Sequence, residues 1–596
     1  MNTLQTDLNP ATNAVPVDAA LSAAQRAAAE ADGHCLTIAC PGSGKTRLLA
    51  ARAARLLAAD EGRLCAVTFT REAAKSLRER ILAMAGRGQS KRVAAGTFHA
   101  LALTQLKGGG LGDFRIMGEG ERRHLIWRAI REAREDISLD DALAAIEAFK
   151  SSMFPPPAQG LGPAANVFVA YQELMAKHKA YDFQDILLNT VHAMNDGLLK
   201  PMPVTWLLVD EAQDMDEVQY AWVLAHVAAG IETTLVADDD QCIYGWRYAL
   251  GFAGLKRFED DAGARRFTLE TNYRCRPEIL RPAAQVIDVN TDRFPKAIQA
   301  SRSPGGTFET IQYPDKEFEI AALLDRIHAR PGGWAVLART NRLLHQVESG
   351  LGSRGIPYVR IGERSIWDRP PCALFLALAQ SLAGGDSAGY SHVLARAGMH
   401  GAVLEHTSVW FQNMLAGDAS APEPENAVLH DTHRALVRRF ARVCTDWRNL
   451  IQDGRIELAL SGVAHWLTSN IDENAADFYS WTASALSKLS GPMANRVSKL
   501  TMGRGVQSSP EAVYIMTLHS AKGLEFEHVW IIGADDGVIP HRDSNMEEER
   551  RLFYVGMTRA MENLVVSWSE KNGMTRFLVG LINPAATIPA DKSGSF

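Results

Sequence analysis

The sequence of 596 residues has few cysteines and no spacing of them that marks a metal or disulfide site. No two cysteines form a CxxC pair, and the seven are scattered along the chain. Zinc sites, iron–sulfur clusters and disulfide frameworks need clustered or paired thiols. We therefore predict unpaired, packed thiols at all seven positions, which are Cys35, Cys40, Cys65, Cys242, Cys275, Cys372 and Cys444.

The sequence also lacks a hydrophobic segment of membrane-spanning length. Its longest apolar run lies near residues 373–382, whereas a helix needs about 20 apolar residues to cross a bilayer. Residues 1–20 have neither the basic start nor the apolar centre of a secretion signal. These absences predict a cytoplasmic protein without a membrane partner.

A large excess of charge of either sign is missing as well. The chain has 63 Lys and Arg against 69 Asp and Glu, a formal net charge of −6. This balance does not exclude a polyanionic partner, because affinity for phosphates depends on where the cations lie. Hydrophobic residues make up 46%, which is typical of globular proteins. A chain of this length is too long to fold around one hydrophobic core, so we expect several domains.

Short apolar, β-rich runs alternate with amphipathic helical stretches along the chain. HCLTIAC precedes KTRLLAARAARLLA, and LCAVTFT precedes REAAKSLRERI. This alternation predicts parallel strands covered by helices. A second series begins near Arg274 and includes GWAVLART, YIMTLHS, HVWIIGAD and NLVVSWS. The sequence therefore predicts an α/β fold with two parallel-sheet cores.

The string PGSGKT follows the first of these apolar runs and predicts a site for nucleotide phosphates. Glycines let the backbone turn tightly around phosphate oxygens at the start of a helix. In such a loop Lys45 reaches the β- and γ-oxygens and Thr46 ligates Mg²⁺. Ala39 stands where the first glycine of the pattern is usual. The predicted loop residues are Gly42, Ser43, Gly44, Lys45 and Thr46.

An acidic pair follows a second apolar run, in the string VDEAQD at residues 209–214. Parallel strands deliver their following residues to one edge of a sheet, so Asp210 would reach the metal and Glu211 the attacking water. An acidic pair in this position is otherwise often a helix start that favours negative charge. Its combination with a phosphate-binding loop favours the catalytic interpretation.

Further strings follow in a fixed order, and with them the chain resembles the UvrD/Rep/PcrA family of superfamily 1 DNA helicases over most of its length. Many ordered matches of this kind do not arise by chance. The matching strings are LSAAQ, TFTREAAKSLRERI, GTFHAL, YDFQDIL, DDDQCIYGWR, LETNYR, TLHSAKGLEF and EEERRLFYVGMTRA.

The resemblance implies two RecA-like parallel-sheet motor cores, each interrupted by a mainly helical insertion. The first core is 1A with insertion 1B, and the second is 2A with insertion 2B. The implied boundaries are residues 1–100 and 178–270 for 1A, 101–177 for 1B, 271–369 and 511–576 for 2A, 370–510 for 2B, and 577–596 for a short tail.

The resemblance also implies how the nucleoside is bound. Gln25 in LSAAQ would read the adenine edge, and Tyr273 in LETNYR would stack on the base. Glu525 in TLHSAKGLEF would accept a hydrogen bond from a ribose hydroxyl. ATP and Mg²⁺ are the cofactors that these motifs imply.

Three more residues take catalytic roles from the resemblance. Gln241 would sense the γ-phosphate or the attacking water. Arg274 and Arg559, both placed in the second core, would act as arginine fingers, because planar guanidinium groups stabilise the charge on phosphoryl oxygens. Either arginine alone is more often a surface or ion-paired residue, and its place in NYR or MTRA favours the catalytic role.

Aromatic groups interleaved with basic and hydroxyl groups predict contacts with a nucleic acid strand. Bases stack on aromatic faces with little sequence preference while the backbone follows cationic groups. A single aromatic is more often a core residue, and the pattern around Phe183 alone favours the core. The candidate aromatics are Phe69, Phe183, Tyr244 and Trp246, the last beside Arg247. The resemblance implies that Thr97, His99 and His519 contact phosphates or sugar, although a lone histidine more often makes a structural hydrogen bond.

The second insertion departs from the family pattern. Relatives commonly carry an Arg-Gly-Ile-Gly turn there that touches duplex DNA, and the nearest string here is ARAGMHGAVL at residues 395–404. Gly398 and Gly401 retain the capacity for a tight turn beside a backbone, while the flanking charges differ.

The resemblance implies an ATP-dependent 3′ to 5′ translocase on single-stranded DNA that unwinds duplexes. Its partners would be single-stranded DNA, single/double-strand junctions and a protein such as a nuclease or repair factor. The alternatives are a translocase that strips proteins or loads a partner, and an ATP-gated subunit that regulates a partner nuclease, as in phage defence.

Overall fold

The computed structural model describes residues 21–153, 162–362, 365–384, 387–416, 430–489, 491–502, 511–581 and 588–589. The chain divides into two compact units. The first contains the described residues up to Gly305 and the segment Ser544–Tyr554, and the second contains Gly306–Asp543 and the described residues from Val555 onward. Residues 1–20 of predicted core 1A, the end of insertion 2B at residue 510 and most of the predicted tail lie outside the described residues.

The first unit is built on a six-stranded sheet in which every neighbouring pair is parallel. Its strand order is β3-β2-β6-β7-β1-β8, and two short parallel pairs, β4 with β5 and β9 with β10, lie outside it. The strands are β1 Cys35–Ala39, β2 Leu64–Thr68, β3 Val93–Thr97, β4 Arg115–Ile116, β5 Ala180–Tyr181, β6 Trp206–Val209, β7 Glu232–Ala237, β8 Arg265–Leu269, β9 Thr271–Asn272 and β10 Gln299–Ala300.

Both faces of this sheet are covered, which explains why its strands read as continuous apolar runs. Successive side chains of a strand point to opposite faces. Leu207 packs in one hydrophobic cluster and Leu208 in the other. The helices of the sheet region are Ala23–Glu30, Lys45–Ala59, Arg71–Ala85, Phe98–Gly108, Phe183–Asn195, Glu217–Ala228, Gly251–Asp261 and Pro277–Ile287.

Three further helices of the first unit form a small bundle with a core of its own. Ile126, Ile146 and Tyr171 are fully buried in that core, one from each helix. The short parallel pair of β4 and β5 flanks the bundle in sequence. The helices are Glu119–Ala133, Leu139–Lys150 and Pro163–Lys177.

The second unit contains a seven-stranded sheet, again with parallel neighbours, in the order β13-β14-β12-β15-β16-β11-β17. The strands are β11 Thr307–Tyr313, β12 Trp334–Ala338, β13 Tyr358–Arg360, β14 Val513–Thr517, β15 Phe526–Ile531, β16 Ala560–Ser569 and β17 Ile588–Pro589. Between β13 and β14 the described residues contain helices and no strand. The helices from Gly306 onward are Lys316–Ala329, Asn341–Ser353, Pro370–Leu382, Ala388–Arg396, Gly401–Leu415, Asp431–Gln452, Ile456–Asn470, Ala476–Lys488, Met493–Met502 and Met546–Met557. The last of these belongs to the first unit as far as Tyr554.

The predicted α/β fold with two parallel sheets is confirmed, and the division into cores and insertions stays a prediction. The sequence places the start of the second core at residue 271, but the segment after β8 belongs to the first unit up to Gly305. The reason is local hydrogen bonding, because the Asn272 amide donates to the Pro41 carbonyl and the Tyr273 N–H donates to the Gly42 carbonyl. Arg274 is therefore a residue of the first unit.

The prediction of unpaired cysteines is also confirmed. All seven thiols are free, and six of them are buried. Burial raises the pKa of Cys65 to about 12, so this thiol stays protonated at neutral pH. Within the described residues, no helix is both long and apolar enough to cross a membrane.

Candidate nucleotide site and strand-contact residues

The loop between β1 and helix Lys45–Ala59 has the geometry of a phosphate-binding loop. Gly42 and Gly44 have φ angles of 62° and 81°, a region that favours glycine. A Cβ atom on Gly42 would lie 2.7 Å from the Arg274 Cβ, so the loop has no room for a side chain there. No side chain caps the helix that begins at Lys45, which leaves its first N–H groups available to an anion.

Gln25 and Ser43 lie against this loop. The buried Gln25 side chain donates a 2.8 Å hydrogen bond to the Ser43 carbonyl and accepts one from the Ser22 N–H. The Ser43 hydroxyl is buried and has no hydrogen-bond partner among the described residues. A buried hydroxyl without a partner is rare, and at this position it would serve a phosphate oxygen.

Gly42→Ala should weaken ATP binding about tenfold, because the new methyl group must displace the Arg274 side chain or the loop. Gly33→Ala is the matched control, since Gly33 also has a positive φ, 75°, and a Cβ added there would meet no atom within 4 Å. We expect Gly33→Ala to be destabilised only by the strain of a positive φ at an alanine, about 1 kcal/mol. Titration with a fluorescent ATP analogue measures both variants, and parental affinity in Gly42→Ala would contradict the steric argument.

Asp210 and Glu211 follow β6 directly, as predicted. Glu211 has a φ of 54°, and its N–H donates to Asp210 Oδ1 at 3.0 Å. A non-glycine residue in this region is strained, and such strain clusters at functional sites. Gln213 holds the Glu211 carboxylate by a 2.6 Å hydrogen bond from its side-chain amide and accepts from the Asp238 N–H. Sequence reasoning assigned no role to Gln213, although it lies within the VDEAQD string.

The surroundings of Asp210 favour the binding of a divalent cation. Burial, followed by the neighbouring Glu211, raises the pKa of Asp210 to about 7. A carboxyl group held at this pKa gains most from a cation that restores its ionised form. Thr46, the second residue of helix Lys45–Ala59, supplies a hydroxyl oxygen of the kind that Mg²⁺ accepts. The predicted Mg²⁺ ligands are thus chemically suited to that ion.

Asp238 brings together two of the predicted catalytic residues. Lys45 Nζ lies 3.8 Å from Asp238 Oδ2, and the Gln241 amide donates to the same oxygen. Asp238 is fully buried, and burial raises its pKa to about 6. Sequence reasoning missed this residue, although a carboxylate at the end of a buried strand beside a predicted catalytic glutamine was a usable signal.

The two aspartates that follow Asp238 have a structural role. Asp239 and Asp240 both contact Lys296, and Arg293 forms a two-pronged ion pair with Asp240 at 2.8 and 2.9 Å. The carboxylates of residues 238–240 lie close enough together to hold a metal ion. The pairing of Asp239 and Asp240 with Lys296 and Arg293 instead neutralises these two carboxylates, as buried charges require.

Tyr273 and Arg274 come directly after β9 and lie against the phosphate-binding loop of the first unit. The Tyr273 N–H donates to the Gly42 carbonyl at 2.9 Å, and its side chain is 43% exposed, as a base-stacking ring requires. The Arg274 N–H donates to the Asn272 side chain. Asn272 therefore fixes this segment against the phosphate loop, a role that sequence reasoning did not assign.

Arg559, Glu525 and His519 lie in the second unit. The Arg559 guanidinium is buried and donates to the carbonyls of Val555 and Leu524 at 2.8 and 3.1 Å. Glu525, which directly follows Leu524 in the chain, is exposed. His519 is half-buried in the turn after β14. The structure thus brings Arg559 next to the segment that carries Glu525.

Four predicted strand contacts lie on three segments: Phe69 follows β2, Thr97 ends β3 just before His99, and Phe183 begins the helix after β5. The Phe183 and His99 rings stack with centroids 4.0 Å apart, and Phe183 is 59% exposed. This exposure contradicts the core interpretation that the pattern alone favoured. Phe69 packs edge-on against Phe98, and Thr97 caps the helix that carries His99. Burial lowers the pKa of His99 to about 4, so the ring is neutral at pH 7.

The second group of predicted strand contacts lies in a short turn after Gln241. The Arg247 guanidinium lies 4.4 Å from the Trp246 ring centre and 5.7 Å from that of Tyr244. Trp246 is 58% exposed, and a large exposed ring beside a cation suits base stacking. Glu548 accepts a hydrogen bond from the Gly245 N–H and so fixes the turn. Glu548 lies 303 residues away, and no sequence signal indicated the contact.

Gly398 lies in the turn between helices Ala388–Arg396 and Gly401–Leu415, and Gly401 begins the second of these helices. Their φ angles are 93° and 55°, so the turn that the sequence predicted at this point is present. What it contacts stays a prediction.

The sequence matches two family profiles that together cover most of the chain. The UvrD/REP helicase N-terminal domain matches residues 21–262. The UvrD-like helicase C-terminal domain matches residues 267–398 and 426–571, which leaves residues 399–425 of the second insertion without a counterpart in the profile.

The sequence similarity to known proteins extends over nearly the whole chain. It is 29% identical to the ATP-dependent DNA helicase PcrA of Leuconostoc citreum, over 92% of this chain and 81% of that protein. It is 27% identical to the ATP-dependent DNA helicase Rep of Escherichia coli, over 91% of this chain and 89% of that protein. DNA helicase II of Escherichia coli is 28% identical, over 93% of this chain and 84% of its own length.

Proposed function

Because this chain belongs to the UvrD/Rep helicase family, we propose that it is an ATP- and Mg²⁺-dependent motor that moves 3′ to 5′ along single-stranded DNA and unwinds duplexes. Its two parallel sheets are the RecA-like cores of that family. The names of the relatives favour a helicase over a gated regulatory subunit. One observation carries the proposal: the string DDDQCIYGWR joins the Lys45 partner Asp238 and Gln241 to the exposed Trp246 within nine residues.

The chemistry follows from the groups around the phosphate loop. Lys45 exchanges Asp238 for oxygens of the β- and γ-phosphates, and the free N–H groups at the start of its helix bind the same anion. Thr46 and Asp210 would hold Mg²⁺, which neutralises phosphoryl oxygens when it is bound. Glu211 accepts the proton of the attacking water on its carboxylate, which Gln213 keeps in place.

The departure of Lys45 changes the surroundings of Asp238. Lys296, 3.9 Å from Asp238, remains to balance the buried carboxylate. The Gln241 amide would then exchange its hydrogen bond to Asp238 for one to the γ-phosphate, and the resulting shift would pass along the short segment to Trp246. The binding of ATP is thereby coupled to the stacking of a base on Trp246 through this short segment.

The remaining assignments complete the proposal. Gln25, Tyr273 and Glu525 bind the nucleoside, and Arg274 and Arg559 supply cations to the phosphoryl group. The bases stack on Phe69, Phe183, Tyr244 and Trp246, and the backbone contacts Thr97, His99, Arg247 and His519. The division into cores 1A and 2A with insertions 1B and 2B belongs to this proposal, as do cytoplasmic location, junction DNA and a protein partner such as a nuclease or repair factor.

Strand separation on duplexes with either a 3′ or a 5′ single-stranded tail tests the function. We expect ATP-dependent separation only with the 3′ tail, and none with Lys45→Ala protein or after chelation of Mg²⁺. Separation only with the 5′ tail would overturn the polarity. ATP hydrolysis that single-stranded DNA does not stimulate would overturn the motor itself.

A further inference from the structure

A buried lysine links the three-helix bundle of the first unit to the Phe183 ring. Lys150 is the last residue of helix Leu139–Lys150, and its side chain has no exposed surface. Its ammonium lies 2.7 Å from Asp182 Oδ2 and 2.7 Å from Asp185 Oδ1. A fully buried lysine is rare unless it is paired, and this one is paired with two carboxylates.

Both carboxylates form the N-terminal cap of the helix that begins with Phe183. Asp182 Oδ1 accepts from the N–H groups of Gln184 and Asp185, each at 3.1 Å. Asp185 Oδ2 accepts in return from the Asp182 N–H at 3.0 Å. This reciprocal capping box fixes the first turn of the helix. It therefore fixes the point from which the Phe183 ring projects toward His99.

All three helices of the bundle send a polar group to Asp182. Lys150 comes from the second helix, and the Tyr171 hydroxyl of the third helix donates to Asp182 Oδ2 at 3.0 Å. Arg122 of the first helix places its Nε 3.8 Å from the same oxygen. All three helices of the bundle thus contact one carboxylate, that of Asp182, and Asp182 immediately precedes Phe183 in the chain.

The charges in this cluster depend on Lys150. Burial raises the pKa of Asp185 to about 6 even with the ammonium beside it. Removal of the ammonium would leave two buried carboxyl groups without their shared cation, which is strongly unfavourable. The carboxyl groups would then move, take up protons or admit water, and each of these changes alters the capping box.

We propose that Lys150 is a positioning residue through which the helical insertion sets the orientation of Phe183 for base stacking. The inference rests on the proposed function, since it assumes that Phe183 contacts a DNA strand. Lys150 itself touches no DNA in this mechanism. Its effect passes through Asp182 and Asp185 to the start of the Phe183 helix.

Lys150→Met removes the charge and keeps a long apolar side chain, so it tests the proposal directly. We expect the Kd for a labelled oligothymidine to rise about fivefold, a part of what loss of a stacking ring costs. The DNA concentration that half-maximally stimulates ATP hydrolysis should rise by the same factor, while kcat at saturating DNA stays near the parental value. Lys179→Met is the matched control, because Lys179 also pairs with an aspartate, Asp113, but is 73% exposed.

A double-mutant cycle separates positioning from general destabilisation. In the Phe183→Ala background, Lys150→Met should have no further effect on the Kd, because the ring that it positions is gone. A full fivefold effect in that background would overturn the proposal, as would a parental Kd in Lys150→Met itself. A parental protein that neither binds oligothymidine nor responds to it would instead overturn the proposed function.

Tyr171→Phe provides the same test with the smallest change to packing. It removes only the hydroxyl that donates to Asp182, so it serves if Lys150→Met does not fold. We expect the Kd to rise about twofold, and the effect to vanish in the Phe183→Ala background. An unchanged Kd in Tyr171→Phe, or an effect that persists without Phe183, would count against the proposal.

Discussion

Glu211→Gln should abolish ATP turnover while the protein still folds and binds ATP. The amide cannot accept the proton of the attacking water, and a general base contributes about 10² to 10⁴-fold to the rate. The fold should survive, because the amide oxygen of the new side chain can still accept the hydrogen bond from Gln213. Phosphate release assays measure turnover, and a fluorescent ATP analogue measures binding.

Glu217→Gln is the matched control for this substitution. Glu217 lies in the first turn of the next α-helix and forms an exposed ion pair with Arg257 at 3.0 Å. An exposed pair of this kind contributes little to stability, so turnover should remain at the parental rate. Lys45→Ala should also abolish turnover, with loss of ATP binding as well. A folded Glu211→Gln protein that hydrolyses ATP at the parental rate would refute the assignment of the base.

Trp246→Ala should reduce the stimulation of ATP hydrolysis by single-stranded DNA far more than hydrolysis without DNA. A base stacked on an aromatic ring contributes about 1 to 3 kcal/mol, which corresponds to a loss of about fivefold to more than a hundredfold in DNA affinity. The ring is exposed and contacts Arg247 and Tyr244 in a surface turn, so its removal leaves no cavity in the core. Titration of ATPase activity with oligothymidine measures the effect.

Trp127→Ala controls for the loss of an exposed tryptophan. Trp127 is 47% exposed in the helical insertion and also has an arginine over its ring, Arg131 at 4.8 Å. Its replacement should leave DNA stimulation unchanged, because none of the predicted strand contacts lies on its helix. Equal losses of basal and DNA-stimulated hydrolysis in Trp246→Ala would identify Trp246 as a packing residue instead.

The sequence predicts those parts of the fold and site that are local in the chain. Continuous apolar runs identify the buried parallel strands, and PGSGKT places a loop and the start of a helix at Lys45, where the structure has them. VDEAQD likewise places Asp210 and Glu211 directly after β6. In each case the strand, the turn and the functional side chain are within a few residues, so propensity and spacing suffice.

The sequence does not predict which distant side chains neutralise the buried charges. Lys296 lies 57 residues from Asp239, with which it pairs, and Lys150 lies 32 residues from Asp182. Such pairs form only when packing excludes water and leaves a charge that must be matched. Periodicity also misjudged Phe183, because a ring at the first position of a helix can follow the apolar pattern and still project into solvent.

The composition of the first unit limits how the protein can be divided into fragments. The segment Ser544–Tyr554 belongs to that unit although it lies far along the chain. Within it, Glu547 accepts hydrogen bonds from Thr291, and Glu548 accepts from Gly245 beside Trp246. A recombinant fragment that ends at Gly305 would lose these partners, so an independently expressed first unit needs the distant segment supplied by a designed linker or as a separate peptide.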